Sequence, residues 1–206
     1  MRLGFFGSTG RVGNVVLQNA LKDGWSIKAL VRNPEGNKED AALVKLIKGN
    51  VLEEDPVFET IRDADAVFSA LGTDGSTTLS DSIPLIIKGM QEFGVKRIVT
   101  IGTAGILQSR TEPGLYRFQS SESKRKLTRA AEEHLKVYLQ LKETDLSWTI
   151  LCPTYLPDGE RVGQYRTEQD YLPIDGKMIS IYDTGDCAYS LLQTGEYPCA
   201  RVGICY

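Results

Sequence analysis

The sequence predicts a doubly wound α/β domain, a mostly parallel sheet covered by helices on both faces. Three observations carry that prediction. Short apolar runs alternate with amphipathic helical stretches up to about position 152, a glycine-spaced turn joins the first run to the first helix, and no linker or internal repeat divides the chain. Strands that alternate with helices need crossover connections, and right-handed crossovers leave few topologies open.

The elements follow in order. Met1 to Phe6 is an apolar run closed by Gly7, with the length and character of a buried strand. Arg11 to Leu21 then sets Val12, Val15, Val16, Asn19 and Ala20 along one helical stripe, and Asp23-Gly24 ends it. Trp25 to Val31 alternates in part and reads as a second strand. A helix is expected near Lys38 to Leu46, a strand near Ile47 to Val51, a helix near Pro56 to Arg62 and a strand at Ala66 to Ala70. A helix around Ile83 to Phe93 precedes a strand at Arg97 to Ile101, and a long helix from about Ser123 to Lys142 precedes a strand at Trp148 to Cys152. Beyond Pro153 the rhythm changes to short strands, turns and one more helix near Asp183 to Thr194, with Gly, Pro and Tyr dense from Tyr155 to Gly176. That tail is expected to build a small substrate-side lobe over the sheet's carboxyl edge, within one domain spanning residues 1–206.

A chain of 206 residues buries about 70% of its unfolded surface, so it needs neither disulfides nor metal to fold. Its 24 Lys and Arg against 27 Asp and Glu leave a net charge of −3, whereas a surface for the nucleic-acid backbone shows a basic excess. Nucleic acid is therefore not an expected partner. No apolar run reaches the length of a membrane span, and the opening MRLGFFGSTG lacks a signal-peptide core, so a cytoplasmic location with no membrane partner is expected. Cys152, Cys187, Cys199 and Cys205 match no ligand or dithiol spacing, and His134 is the single histidine, so reduced thiols and no metal site are expected.

The turn Gly7-Ser8-Thr9-Gly10-Arg11-Val12-Gly13 places glycines at i, i+3 and i+6 between strand and helix. The first permits a tight turn, the second lets backbone approach a pyrophosphate, and the third lets helix pack close to strand. Backbone N–H groups at the helix start then face the anion. This is the fingerprint of a dinucleotide site in a Rossmann fold, and the competing phosphate loop, which needs Gly-Lys-Ser/Thr, is absent. The second strand ends Leu30-Val31-Arg32-Asn33, where an NAD site carries a carboxylate; Arg32 offers instead a guanidinium fork for a 2′-phosphate, with Asn33 beside it and Glu35 close enough to blur the preference. NADPH is the expected cofactor. Asn50 and Val51 after the third strand, and Leu71, Gly72 and Thr73 after the fourth, stand where loops meet a dinucleotide in this architecture.

The segments GSTGRVG, LVRN, GNVLEED, DAVFSALGT, FGVKRIV, GTAG, EEHLKVYLQLKETDLSWTILCPTYLPD and ISIYDTGD, in this order and spacing, resemble the atypical short-chain dehydrogenase/reductases with an NAD(P)H-binding domain, close to the flavin reductase/biliverdin reductase B type. The NmrA-like redox sensors share this fold and glycine loop. The resemblance implies that Ser8 to Val12 hold the pyrophosphate, that Arg32 meets the 2′-phosphate and that Asn50 and Val51 border the adenine. It implies further that Thr103 sets a hydroxyl beside the nicotinamide, that Cys152-Pro153-Thr154-Tyr155 form the turn at its carboxamide edge, and that His134 matches a helix histidine. The chain departs from the pattern at Thr103, where the pattern has Ser, at Tyr155, where it has His, and at Gly105, where it has a bulkier residue. Thr103, Tyr155 and His134 are the candidate catalytic residues.

Tyr138 and Lys142 fit the Tyr-x-x-x-Lys motif of alcohol-oxidising relatives, but Pro153 follows Tyr138 by only 15 residues instead of the thirty or so of those enzymes. At 1.5 Å per residue the difference moves the tyrosine about 20 Å along its helix, so it is read as a packing residue. Without that pair, hydride transfer to a planar acceptor is the less demanding chemistry, since a flavin delocalises the charge and solvent supplies the proton. The expected function is NADPH-dependent reduction of a flavin such as FMN or riboflavin, or of biliverdin, with FMN as substrate in place of a bound cofactor. The alternatives are a non-catalytic NAD(P)H sensor and, behind it, a sugar-nucleotide epimerase or dehydratase. A monomer or weak homodimer is expected. Lys124-Arg125-Lys126 reads as a solvated basic turn or as an attractor for an anionic substrate.

Overall fold

Period-two alternation decides which face each strand residue serves in the computed structural model, which describes residues 1–34, 42–73, 75–123 and 125–206. In chain order the elements are β1 (Arg2–Phe6), α1 (Arg11–Lys22), β2 (Ser26–Val31), β3 (Val44–Lys48), α2 (Glu54–Ile61), β4 (Ala66–Ser69), α3 (Thr78–Glu92), β5 (Arg97–Ile101), α4 (Arg129–Lys142), β6 (Ser147–Pro153), β7 (Arg166–Gln169), α5 (Ile181–Thr194) and β8 (Ala200–Cys205). Phe5, Phe68, Val99, Leu151 and Val202 point to a core shared with α1 and α5; Phe6, Val67, Ile98 and Ile150 point to a second core under α2, α3 and α4. Both faces of the sheet are thus covered, which is what lets the central strands be apolar throughout.

The sheet order is β3-β2-β1-β4-β5-β6-β8-β7. Neighbours run parallel except β7, which pairs antiparallel with β8. The first six strands have the 3-2-1-4-5-6 order of the Rossmann fold, and the chain reverses its direction of travel between β1 and β4. The loops that follow those two strands diverge there and open a crevice above the carboxyl ends of Phe6 and Ser69. Among the described residues no helix is long and apolar enough to cross a membrane.

Four expectations need correction. The helix near Lys38 to Leu46 is not formed where it can be seen: Val44–Lys48 is strand β3, with Val44 and Ile47 buried between exposed Lys45 and Lys48, while residues 38–41 lie outside the described residues. The third helix starts at Thr78, five residues before Ile83, and carries Pro84 in its interior. Proline has no N–H for the Ser80 carbonyl, and the Gln140 side-chain amide of α4 donates to that carbonyl instead, at 3.3 Å. The fourth helix starts at Arg129 instead of about Ser123, because Ser120 and Ser123 spend their hydroxyls on local backbone groups. The C-terminal tail supplies a full sheet strand, β8, every residue of which is buried.

Candidate functional site

The crevice begins at the glycine turn. Gly7 has φ of +84°, and a Cβ there would lie 2.7 Å from the Ala70 carbonyl, so only glycine lets β1 turn this close to β4. A Cβ on Gly13 would lie 2.0 Å from the Gly7 carbonyl oxygen, which is how closely α1 approaches the turn. Gly10 is the N-cap of α1; it supplies no side-chain acceptor, and the first turn holds no acidic residue. The leading N–H groups and the positive end of the helix therefore face the crevice uncompensated by any carboxylate of the turn.

A cleft of about 740 Å³ runs along the carboxyl edge of the sheet over this turn. That is within the roughly 300–1,000 Å³ of small-molecule and cofactor sites. Gly7, Thr9, Gly10, Arg11 and Val12 line its middle. Arg32, Asn50 and Val51 line one end, Leu71, Gly72 and Thr73 the wall after β4, and Gly102 and His134 the other end. Arg32 is exposed, and no ion pair is formed by it among the described residues; Glu35 lies outside them. Of the other residues singled out from the sequence, Ser8 and Cys152 are buried beneath the surface and Asn33 faces solvent, and none of the three lines the cleft.

A second cavity of about 160 Å³ adjoins the first and is lined by Thr103, Gly105, Pro153, Thr154 and Tyr155, with Arg117 and Phe118 opposite. The two meet where Gly102 passes to Thr103 and where Tyr155 passes to Leu156. Thr103 begins the 3₁₀ turn Ala104–Ile106, and its hydroxyl accepts the Gly105 N–H at 3.4 Å, which leaves the hydroxyl proton free to be donated. Tyr155 is 61% exposed and forms the rim. A Cβ on Gly105 would lie 3.1 Å from the Ala131 Cβ and 3.4 Å from the Phe118 Cβ, so the missing side chain lets α4 and residues 117–119 close over the cavity.

The roof of the cleft comes from the tail, which sequence reasoning placed only as a lobe. Leu156 covers the cleft, and Arg11 donates to the Asp158 carboxylate at 2.8 Å across it. Asp183 fixes the next loop by accepting from the N–H groups of Val162 and Gly163 at 2.8 and 2.9 Å and from the Tyr206 hydroxyl at 2.6 Å. Burial pushes the Asp183 pKa up, but these donors outweigh it and hold the carboxyl below its usual range.

His134 sits on α4 at the end of the cleft, and its imidazole makes no hydrogen bond with the described residues. Burial lowers its pKa to about 4, against a smaller opposing pull from Glu133, so the imidazole is neutral at pH 7. Cys152 is fully buried, and burial pushes its thiol up to about 12; its contribution is packing and backbone. Tyr138 and Lys142 line a separate cavity together with Trp148 and Arg201. The Tyr138 ring packs edge-on against Trp148, and the Arg201 guanidinium lies 4.3 Å over it. Arg201, which no sequence signal marked because its strand was not foreseen, also donates to the Asp170 carboxylate at 3.0 Å and to the Ile106 carbonyl. It therefore props the turn that carries Thr103.

The profile of a family described as NAD(P)H-binding matches residues 7–194, from the glycine turn to the end of α5. The chain belongs to the NAD(P)H-binding family. Within reach of this family, the uncharacterised protein YwnB of Bacillus subtilis is 28% identical over 203 residues, covering 96% of this chain and 93% of its own. A Bacteroides thetaiotaomicron protein described as a candidate epimerase is 30% identical, with a TM-score of 0.85 over 100% of this chain and 96% of that one. A candidate NADH-flavin reductase from Streptococcus pneumoniae is 21% identical, with a TM-score of 0.84 over 100% and 99% of the two chains. The anaerobilin reductase ChuY of Escherichia coli O157:H7 is 18% identical, with a TM-score of 0.81 over 98% and 97%. The last two share the fold.

Proposed function

We propose that the chain is an NADPH-dependent reductase that passes hydride to a planar acceptor, a flavin such as FMN or riboflavin, or biliverdin. One observation carries the reading: a cleft of dinucleotide size opens, at Thr103 and Tyr155, into a second cavity with an exposed aromatic rim. The family membership and the reductase names among the structural neighbours support it. The residues fit the cofactor, because the Gly7 and Gly13 positions leave no room for a side chain and the first turn of α1 carries no acidic residue to compete for its N–H groups.

In this reading Thr9 to Val12 bind the pyrophosphate through backbone, Arg32 pairs with the 2′-phosphate, and Asn50 and Val51 flank the adenine. Thr103 donates its free hydroxyl proton at the nicotinamide end, and the Pro153–Tyr155 turn orients the carboxamide edge. His134, neutral at pH 7, offers one donor and one acceptor and no charge. When bound, the reduced dinucleotide supplies the hydride. The chain's contribution is orientation, and solvent reaches the open second cavity to deliver the proton. An epimerase or alcohol dehydrogenase needs a Tyr–Lys pair beside the nicotinamide, and Tyr138 and Lys142 face a different cavity. The setting that suits a freely supplied NADPH is the cytoplasm, for a monomer or weak dimer.

The test is steady-state NADPH oxidation by the purified protein with saturating FMN, corrected for the rate without protein. Saturable turnover is expected. Tight NADPH binding without turnover on flavin or biliverdin would overturn the reductase reading in favour of a sensor.

A further inference from the structure

The acceptor cavity is too small for the whole of any acceptor named above. Its 160 Å³ holds part of a ring system, and the remainder of a ligand must leave it. Next to it, a groove of about 590 Å³ lies between the loop after β4 and the start of α4. The groove shares Arg125, Leu127 and Ala130 with the acceptor cavity and Thr73 with the cofactor cleft. It is where a tail would go.

The groove is lined by Arg125, Lys126 and Arg129, all exposed, and none of them has an ion-pair partner among the described residues. Among the described residues, the neighbouring carboxylates Glu122 and Glu132 are already engaged. Glu122 pairs with Arg117 at 3.2 Å and accepts the Arg110 N–H, and Glu132 accepts the Thr128 hydroxyl at 2.7 Å. The Thr128 side chain does not cap α4, so the N–H groups of its first turn add a partial positive charge to the same wall. Leu127, 87% exposed, stands between the cations and gives an apolar surface to whatever crosses from one cavity to the other. Three like charges held around one groove with no counter-charge among the described residues repel one another, and an anionic ligand relieves that repulsion.

We infer that this groove binds the anionic tail, a phosphate or carboxylate, of an acceptor whose planar head occupies the Thr103–Tyr155 cavity. The inference rests on the acceptor side of the proposed function and narrows it to anionic acceptors. Lys126 and Arg129 are specificity residues here: they line the groove alone, select the tail and leave the dinucleotide and the planar head untouched.

FMN and riboflavin share one ring and differ in the terminal phosphate, so they are the probes. Each is titrated by flavin fluorescence into the protein with NADP⁺ bound, at low salt and at about 0.5 M salt, where the Debye length falls to roughly 4 Å. FMN is expected to bind about tenfold more tightly than riboflavin at low salt, with most of that advantage lost at high salt. In the Lys126→Ala/Arg129→Ala double variant, which removes cations that line the groove and not the acceptor cavity, FMN should fall to the riboflavin value, while riboflavin and NADPH affinities stay within about twofold. Biliverdin against its dimethyl ester repeats the comparison for carboxylates. Equal affinities within both pairs for the wild-type protein would overturn the inference. So would a variant that weakens both members of a pair alike, or one that weakens NADPH instead. Turnover is read separately: a tail preference without NADPH oxidation defeats the reductase reading and keeps the groove, and turnover without any tail preference does the reverse.

Discussion

Replacing His134 with glutamine removes a titration that the fold resists. The histidine has a pKa of about 4 in the folded chain against 6.5 when solvated, because burial at the end of the cleft disfavours the imidazolium. With a lowered folded-state value, the unfolded chain takes up the proton first as pH drops. The group costs nothing above about pH 7, and stability declines progressively below pH 6.5 until the folded protein also protonates near pH 4. At about 1.36 kcal/mol per unit, with most of the shift from 6.5 to about 4 crossed in that window, the loss between about pH 7 and about pH 4.5 is roughly 2–3 kcal/mol. Carboxylates also titrate in that window, so the quantity to measure is a difference of differences. Urea unfolding of wild type and His134→Gln, both at the two pH values, isolates the imidazole. The variant should gain roughly 2–3 kcal/mol on the wild type as the pH is lowered. A gap that stays constant within about 0.5 kcal/mol would show that the imidazole is solvated, and the argument for a neutral hydrogen-bonding group in the cleft would fail with it.

Three further outcomes are expected. Arg32→Ser should weaken NADPH by about 10- to 150-fold, the equivalent of roughly 1.5–3 kcal/mol for a charge-assisted contact, and leave NADH unchanged; equal losses for both by calorimetry would remove the 2′-phosphate assignment. Gly13→Ala forces a Cβ to within 2.0 Å of the Gly7 carbonyl oxygen, so the turn must move. Overpacking of this kind costs about 1–3 kcal/mol, and NADPH binding should fall at least about tenfold; unchanged binding would mean that the turn yields without disturbing its N–H groups. Tyr138→Phe should keep turnover within about twofold, because the hydroxyl is away from the cleft and its ring does the packing; abolished turnover in a folded variant would restore the dyad.

The parts of the fold that were legible are those governed by short-range rules. Arg97–Ile101 is strand to the residue, and the glycine turn with its flanking strand and helix lies where the spacing puts it, because both are set by local pattern and backbone sterics. Val44 to Lys48 was misread because a five-residue run of Val, Leu, Ile and two Lys satisfies either period, and only pairing with β2 decides it. The start of α3 was missed because Pro84 looks like a helix beginning; its lost hydrogen bond is replaced from α4, about sixty residues downstream. The site divides in the same way. The glycine turn and Arg32 could be read from neighbours in sequence, whereas the roof at Leu156 and the prop at Arg201 depend on contacts between segments far apart in the chain, for which a single sequence carries no periodic signal.

The grip of Arg201 on the Ile106 carbonyl sets an order of events during synthesis. β8 is inserted between β6 and β7, and its arginine reaches back 95 residues to the turn that follows β5. The glycine turn and strands β1 to β5 precede it and need nothing from it to pair. As the chain leaves the ribosome, the crevice can close on its own half of the sheet, while the Thr103 side stays without its support until β8 emerges. A nascent chain stalled before Ala200 would then hold a dinucleotide crevice with no finished wall for a second molecule, so newly made protein gains its second cavity only once β8 has emerged.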